Sequence, residues 1–184
     1  NVFYVALYDK ENSDYITTDV TASNFLKYVN DGSFDRTFIH RLVKDFVIQS
    51  GSFIQPIQAS NQESPNPTLV QSKGTIQNEP GNSNLMGTIA MAKLDGIPDS
   101  ATSGWFINLS DNLQLDSQNG GFTVFGHVLG SGVNNPLLVN TADIYKVNYP
   151  TISLNLTELP LFGVENNIID VNNYFAFNSI ELIG

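Results

Sequence analysis

The sequence predicts a mainly β fold, a barrel of short strands with little helix, and three observations predict it. Short apolar stretches recur along the chain, bounded by Gly, Pro, Asn or Asp, which is the pattern of strands and turns. Apolar residues at helical spacing are clear in one place, at Phe25, Leu26 and Val29. No internal repeat and no linker-like boundary divides the 184 residues, a length that suits one domain spanning 1–184.

The elements follow in order. Val2 to Tyr8 alternates apolar and small residues and reads as a first strand. The helix covers 19–29, with Asp19 or Thr21 as its cap and Asn30-Asp31-Gly32-Ser33 as its stop. Two apolar runs near 38–42 and 46–50, joined by Lys44-Asp45, predict paired strands with a tight connection. From Ile54 to Asn84 the chain is rich in Gln, Asn, Ser and Pro, and a loop of this length is usually functional or disordered. Residues 87–92, 105–109 and 122–128 supply further strands. Asn134 to Ile144 predicts a short helix behind Pro136. Thr151 to Asn173 reads as irregular. Val171 to Ile183 reads as a closing strand, with Phe175, Phe177 and Ile180 as core candidates.

Composition narrows the function. Eight Lys and Arg stand against 18 Asp and Glu, a formal charge of -10. Nucleic acid needs a basic footprint and anionic membrane surfaces attract one, so both partners are disfavoured. No apolar run approaches a membrane span, so no membrane insertion is expected. Charged residues are 14%, below the ~25% usual in soluble domains, and neutral polar side chains fill the surface instead. Cysteine is absent, which removes disulfides, thiolate nucleophiles and thiolate metal sites together. His40 and His127 stand far apart without ligand spacing, so no metal site is expected. A start at Asn1 rather than Met fits a processed or trimmed chain.

The chemistry-bearing stretch is Phe38 to Gly51. Along a strand Arg41 points away from Leu42. A guanidinium has five donors to satisfy, so Arg41 beside Phe46 and Gln49 suits a half-open groove better than a closed core. Such a groove takes a small apolar group attached to a carbonyl. In an arbitrary strand, the arginine would more simply tie neighbouring strands through their carbonyls.

Ile39-His40-Arg41, Phe46 and Gln49-Ser50-Gly51 resemble the signature of the cyclophilins, peptidyl-prolyl cis-trans isomerases. Two further blocks follow in the family's order. One is Gly87-Thr88-Ile89-Ala90-Met91-Ala92 with Ser100-Ala101-Thr102-Ser103-Gly104-Trp105-Phe106-Ile107-Asn108. The other is Leu115-Asp116 with Val124-Phe125-Gly126-His127-Val128. Three ordered blocks across 38–128 are a specific match; an unrelated carbohydrate- or lipid-binding barrel would have them by coincidence.

The resemblance implies a closed eight-stranded antiparallel barrel capped by two helices, with substrate in an outer groove and the 54–84 loop as its wall. It implies catalytic roles for Arg41, Phe46 and Gln49, the arginine hydrogen-bonding the prolyl amide and the glutamine orienting it. Val47, Ala92, Phe106 and Leu115 match the apolar proline pocket, although taken singly each is ordinary core content. Gly104, Gln114 and Phe122 occupy substrate-contacting positions with altered residues. Gly104 stands for an amide side chain, Gln114 for an aromatic, and Phe122 for His or Tyr. His40 is expected to be structural.

The activity implied is isomerisation of X-Pro bonds in client proteins, without metal or cofactor, by a monomer. A proline-peptide binding module with weak or no turnover is the alternative, motivated by Gly104 and Gln114. The wording of Ser100–Ser103 and Asn108-Leu109-Ser110-Asp111-Asn112 looks bacterial, which suggests a periplasmic or secreted folding assistant. Residues 131–177 diverge from the family.

Overall fold

The computed structural model describes residues 3–10, 14–56, 66–130, 142–149, 152–164 and 169–183. Ten strands and one α-helix occur among them: β1 (Val5–Leu7), α1 (Asp19–Asn30), β2 (Arg41–Val43), β3 (Val47–Ser50), β4 (Phe53–Ile54), β5 (Thr68–Leu69), β6 (Thr88–Met91), β7 (Trp105–Asn108), β8 (Val124–Val128), β9 (Asp143–Tyr149) and β10 (Leu154–Leu161). Six strands form one sheet in the order β1-β8-β6-β7-β3-β2, and β9 with β10 and β4 with β5 form two-stranded pairs. Every pairing in the main sheet is antiparallel.

Alternation along these strands divides the sheet into two faces. Leu42 lies opposite Ile48, Ile48 opposite Ile107, and Ile107 opposite Ile89. This buried row joins Phe25, Tyr28 and Val29 of α1, with Phe34 behind the helix. Burial of each such side chain stabilises the fold by ~1.5–3 kcal/mol. The register is thereby fixed, since a one-residue slip would turn the whole row outward.

Local chemistry sets the turns. Asp45 adopts φ 57° between β2 and β3, a left-handed conformation that aspartate tolerates better than most residues. Phe46 N–H then donates to the Val43 carbonyl at 3.1 Å and Phe46 sits at the hairpin tip. Gly126 lets β1 approach β8, because a Cβ there would lie 2.5 Å from the Ala6 carbonyl oxygen.

Helix α1 ends at Asn30, as its Asn-Asp-Gly-Ser stop predicts, but its start is capped differently. The N-cap is Thr18, whose side chain makes no capping bond. The Glu79 carboxylate accepts from the Val20 and Thr21 amides at 3.3 and 2.8 Å, and from the Thr21 hydroxyl at 2.8 Å. The orphan first-turn donors are thus met from far along the chain, not by Asp19 or Thr21.

Among the described residues the hydrogen-bonded sheet has β1 and β2 as its edges, and α1 is the one α-helix. The expected closed eight-stranded barrel and second capping helix are not traced by them. Of the helix predicted over 134–144, residues 134–141 lie outside the described residues, and Asp143 and Ile144 belong to β9. Within the segment read as irregular, β10 pairs with β9. Leu154 and Leu156, then Leu159 and Leu161, alternate inward with one extra residue between the pairs. Thr157 and Glu158 therefore face the single Lys146, forming a β-bulge. The hairpin packs Tyr149, Leu156, Leu159 and Leu161 on Phe38 and Tyr174. The expected closing strand is instead a 3-10 turn at Val171–Asn173 and a strip bonded to residues 36–39. Its Phe175, Phe177 and Ile180 are partly buried against the main core.

Candidate functional site

The sheet's other face carries a second row. Arg41 lies opposite Gln49, Gln49 opposite Phe106, and Phe106 opposite Ala90. Directly opposed residues share a face, so the arginine, the glutamine and the aromatic ring stand side by side across β2, β3 and β7. Val47, Ala90, Phe106, Leu115 and Val124 form a buried apolar patch there, rimmed by partly buried Phe46, Ala92 and Phe122. The Phe106 and Phe122 rings meet edge to face at 5.7 Å. The outcome is an apolar surface with a closed floor and a half-exposed rim, and a cation at one end.

Two of the altered positions flank this patch. Gly104 sits beside Ala92, accepting from its amide at 2.9 Å. A Cβ on Gly104 would lie 3.0 Å from the Ser52 hydroxyl and 3.4 Å from the Ala92 Cβ. Gln114 and Leu115 share the 3-10 turn Leu113–Asp116, where Leu115 turns inward and Gln114 is exposed. Phe122 returns to that turn through its amide, which donates to the Leu115 carbonyl at 3.0 Å.

A buried amide network holds the rim, and sequence reasoning missed it. Asn112 Nδ2 donates to the Phe46 carbonyl at 2.9 Å and to Asn108 Oδ1 at 2.8 Å. Asn108 Nδ2 donates to Thr88 Oγ1 at 2.9 Å and to Asn84 Oδ1 at 3.2 Å. Asn84 Nδ2 donates to Asp116 Oδ1 at 2.9 Å. The tip of the β2–β3 hairpin is thereby tied to the turn bearing Leu115. Buried amides need such partners; the Asn-rich wording around 108–112 was a legible signal. Lys93 adds to the rim. Its Nζ donates to the Asn119 and Gly121 carbonyls at 2.9 and 2.6 Å and lies 4.8 Å from the Phe122 ring centre. Burial pulls its pKa below the ordinary lysine value.

Arg41 has a partner that no motif announced. Its Nε donates to Glu158 Oε2 at 2.5 Å. The two side chains are 35% and 37% exposed, so water screens the pair and it adds little stability. No side-chain hydrogen bond joins Gln49 to Arg41, and the terminal amino groups of Arg41 have no partner among the described residues. His40 packs edge-on to Phe38 and Phe53 at 6.5 and 5.0 Å. Its Nδ1 is buried without a partner among the described residues. Burial first, then the charge of Arg41, lowers its pKa from 6.5 to about 4.

The rest of the molecule offers less chemistry. A cavity of about 660 Å³ lies on the inner face, lined by Phe3, Phe25, Trp105, Phe177 and Ile180 among others. Arg41 does not line it, and the side chains of Ser179 and Glu181 in its lining are bonded to each other at 2.8 Å. Among the described residues no three His, Asp or Glu side chains converge to hold a metal ion. No described helix is long and apolar enough to cross a membrane.

The chain is similar to several known proteins. The family model described as cyclophilin type peptidyl-prolyl cis-trans isomerase/CLD matches residues 16–144. Peptidyl-prolyl cis-trans isomerase A of Dickeya dadantii is 39% identical over 114 residues, covering 60% of this chain and 54% of that protein. Peptidyl-prolyl cis-trans isomerase B of Escherichia coli is 35% identical over 116 residues, covering 59% and 64%. The chain thus spans about half to just under two-thirds of the length of these relatives. A Cryptosporidium parvum cyclophilin type isomerase, solved in the presence of the dipeptide Ala-Pro, superposes with TM-score 0.56 at 19% identity. That likeness covers 85% of this chain and 89% of the other, and it is one of fold. With a mainly β fold and a match over most of its length, the chain belongs to the cyclophilin-type peptidyl-prolyl cis-trans isomerase family.

Proposed function

We propose that this chain accelerates rotation about X-Pro bonds in extended or looped segments of client proteins. The observation that carries the proposal is the cross-strand row of Arg41, Gln49 and Phe106, with the terminal amino groups of Arg41 uncommitted among the described residues and set beside an apolar patch. A proline ring fits against Phe106, Val47 and Leu115, with Phe46, Ala92 and Phe122 at the rim. Gly104 and Gln114 border the chain on either side.

Rotation costs ~18–20 kcal/mol because C–N resonance must be lost. A guanidinium donating to the prolyl nitrogen favours its pyramidal, twisted state over either planar one. Binding is then tighter in the transition state, which is what raises a rate. Arg41 supplies that donor, Phe46 helps exclude water, and Gln49 is placed to hold the substrate backbone. No bond breaks, so the reaction as proposed uses no metal or cofactor.

The same reading carries the finer expectations: a barrel of eight strands closed with a second cap, a monomer, and a periplasmic or secreted location. Cell fractionation tests the location. A binding module is the second reading, favoured by Gly104 and Gln114, which remove two substrate contacts. NMR exchange spectroscopy on an X-Pro peptide separates the two. Accelerated exchange of both isomers is expected. Binding shifts without acceleration would replace the enzyme by the binding module.

A further inference from the structure

We infer that Glu158 is a positioning residue for Arg41, a role that rests on the isomerase reading above. The carboxylate comes from β10, beyond residue 144 where the match to the family model ends. Three observations converge on it. Glu158 takes the Nε edge of the guanidinium at 2.5 Å, which leaves the two terminal amino groups for a peptide. It lies in the bulge of β10, where the extra residue re-aims a side chain out of the strand's alternation. The flanking Leu156, Leu159 and Leu161 are buried, so the carboxylate is held by a packed hairpin rather than by its own flexible chain.

Gln49 stands opposite Arg41 without a hydrogen bond to it, so nothing else among the described residues fixes the guanidinium plane. An arginine free to swing would hold the donor geometry for a fraction of the time. A one-edge clamp restricts rotation while preserving the donors that face the groove. The energy of the exposed pair is small, but its effect on orientation enters the rate directly.

The experiment compares the native chain with Glu158→Ala and Glu158→Gln by exchange spectroscopy on an X-Pro peptide. Alongside it, the ¹⁵N-detected Arg41 Nε–Hε resonance reports the clamp itself. Glu158→Ala is expected to lower kcat about five- to tenfold with KM within about twofold, and to lose the exchange protection of that resonance. Glu158→Gln keeps an acceptor oxygen and is expected to recover at least about half of the loss. In an Arg41→Ala background, Glu158→Ala should cost nothing further. Unchanged or faster turnover in Glu158→Ala, or a loss confined to KM, overturns the inference while the native rate leaves the isomerase reading standing. A native chain that does not accelerate exchange overturns both.

Discussion

In the proposed mechanism Arg41 meets two demands that normally conflict, staying hydrated at little cost while being ordered enough to aim a donor. Its partial exposure and the Glu158 contact satisfy them together. Arg41→Ala is expected to lower the exchange rate at least about tenfold, since one transition-state hydrogen bond is worth ~1.4 kcal/mol or more. The thermal midpoint should stay within a few degrees, because Glu158 is left in water rather than buried. A normal rate with a normal melt would remove Arg41 from the mechanism. Gly104 raises a different question. Its backbone lies outside the left-handed region, so a side chain is allowed, and the Ser52 hydroxyl 3.0 Å from a new Cβ must turn aside. Gly104→Gln is therefore expected to lower KM with kcat little altered, because ground and transition states would share the added contact. A fall in kcat instead would mean that the Ser52 shift reaches the groove.

Elements place these residues through backbone and amide bonding rather than through motif residues alone. The β2–β3 hairpin presents Phe46 at its tip, and Asn112 fastens that tip to the turn carrying Leu115. Asn108, 1% exposed, sits in the middle of this chain of amides. Asn108→Ala should cost about 1–3 kcal/mol in urea unfolding, because Asn84, Thr88 and Asn112 lose buried partners. Peptide affinity should weaken with it, as Phe46 and Leu115 lose their common anchor. A stable variant that binds normally would show that packing alone sets the rim. The β9–β10 hairpin is a second device of this kind. Its leucines could have been read as a strand with one skipped residue, yet Glu158 itself carried no local signal. An acidic residue in a polar stretch looks like surface until the fold brings it to Arg41.

Across the whole molecule, the two faces of one sheet divide the labour between stability and site. His40 lies at their junction, beside the Arg41 row and against Phe38 and Phe53. Its pKa falls from an ordinary 6.5 to about 4 on folding. Between these values the unfolded chain binds a proton that the folded chain does not. Stability from this group is thus complete above pH 6.5 and declines as pH falls toward 4. The thermal midpoint is expected to drop between pH 7 and pH 5, and His40→Phe should drop less. Equal declines in the two proteins would assign the loss to other groups.

The chain's own wording determined the family, most of the short strands through residue 128 (though not the β4–β5 pair, whose β5 lies in the segment read as a loop), the helix over 19–29, and the residues of the candidate site. Alternation along each strand is local, but the register that sets Arg41, Gln49 and Phe106 side by side across three strands is fixed by packing of the opposite face. Only the tertiary structure decided the rest. Glu79 caps a helix that begins nearly sixty residues earlier, Asn84 joins Asn108 across the rim, and Glu158 reaches Arg41 from a hairpin 117 residues downstream. Each is a polar contact between segments that share no period. Its worth depends on burial and geometry, which exist only once the apolar faces have packed and brought the partners within hydrogen-bonding distance.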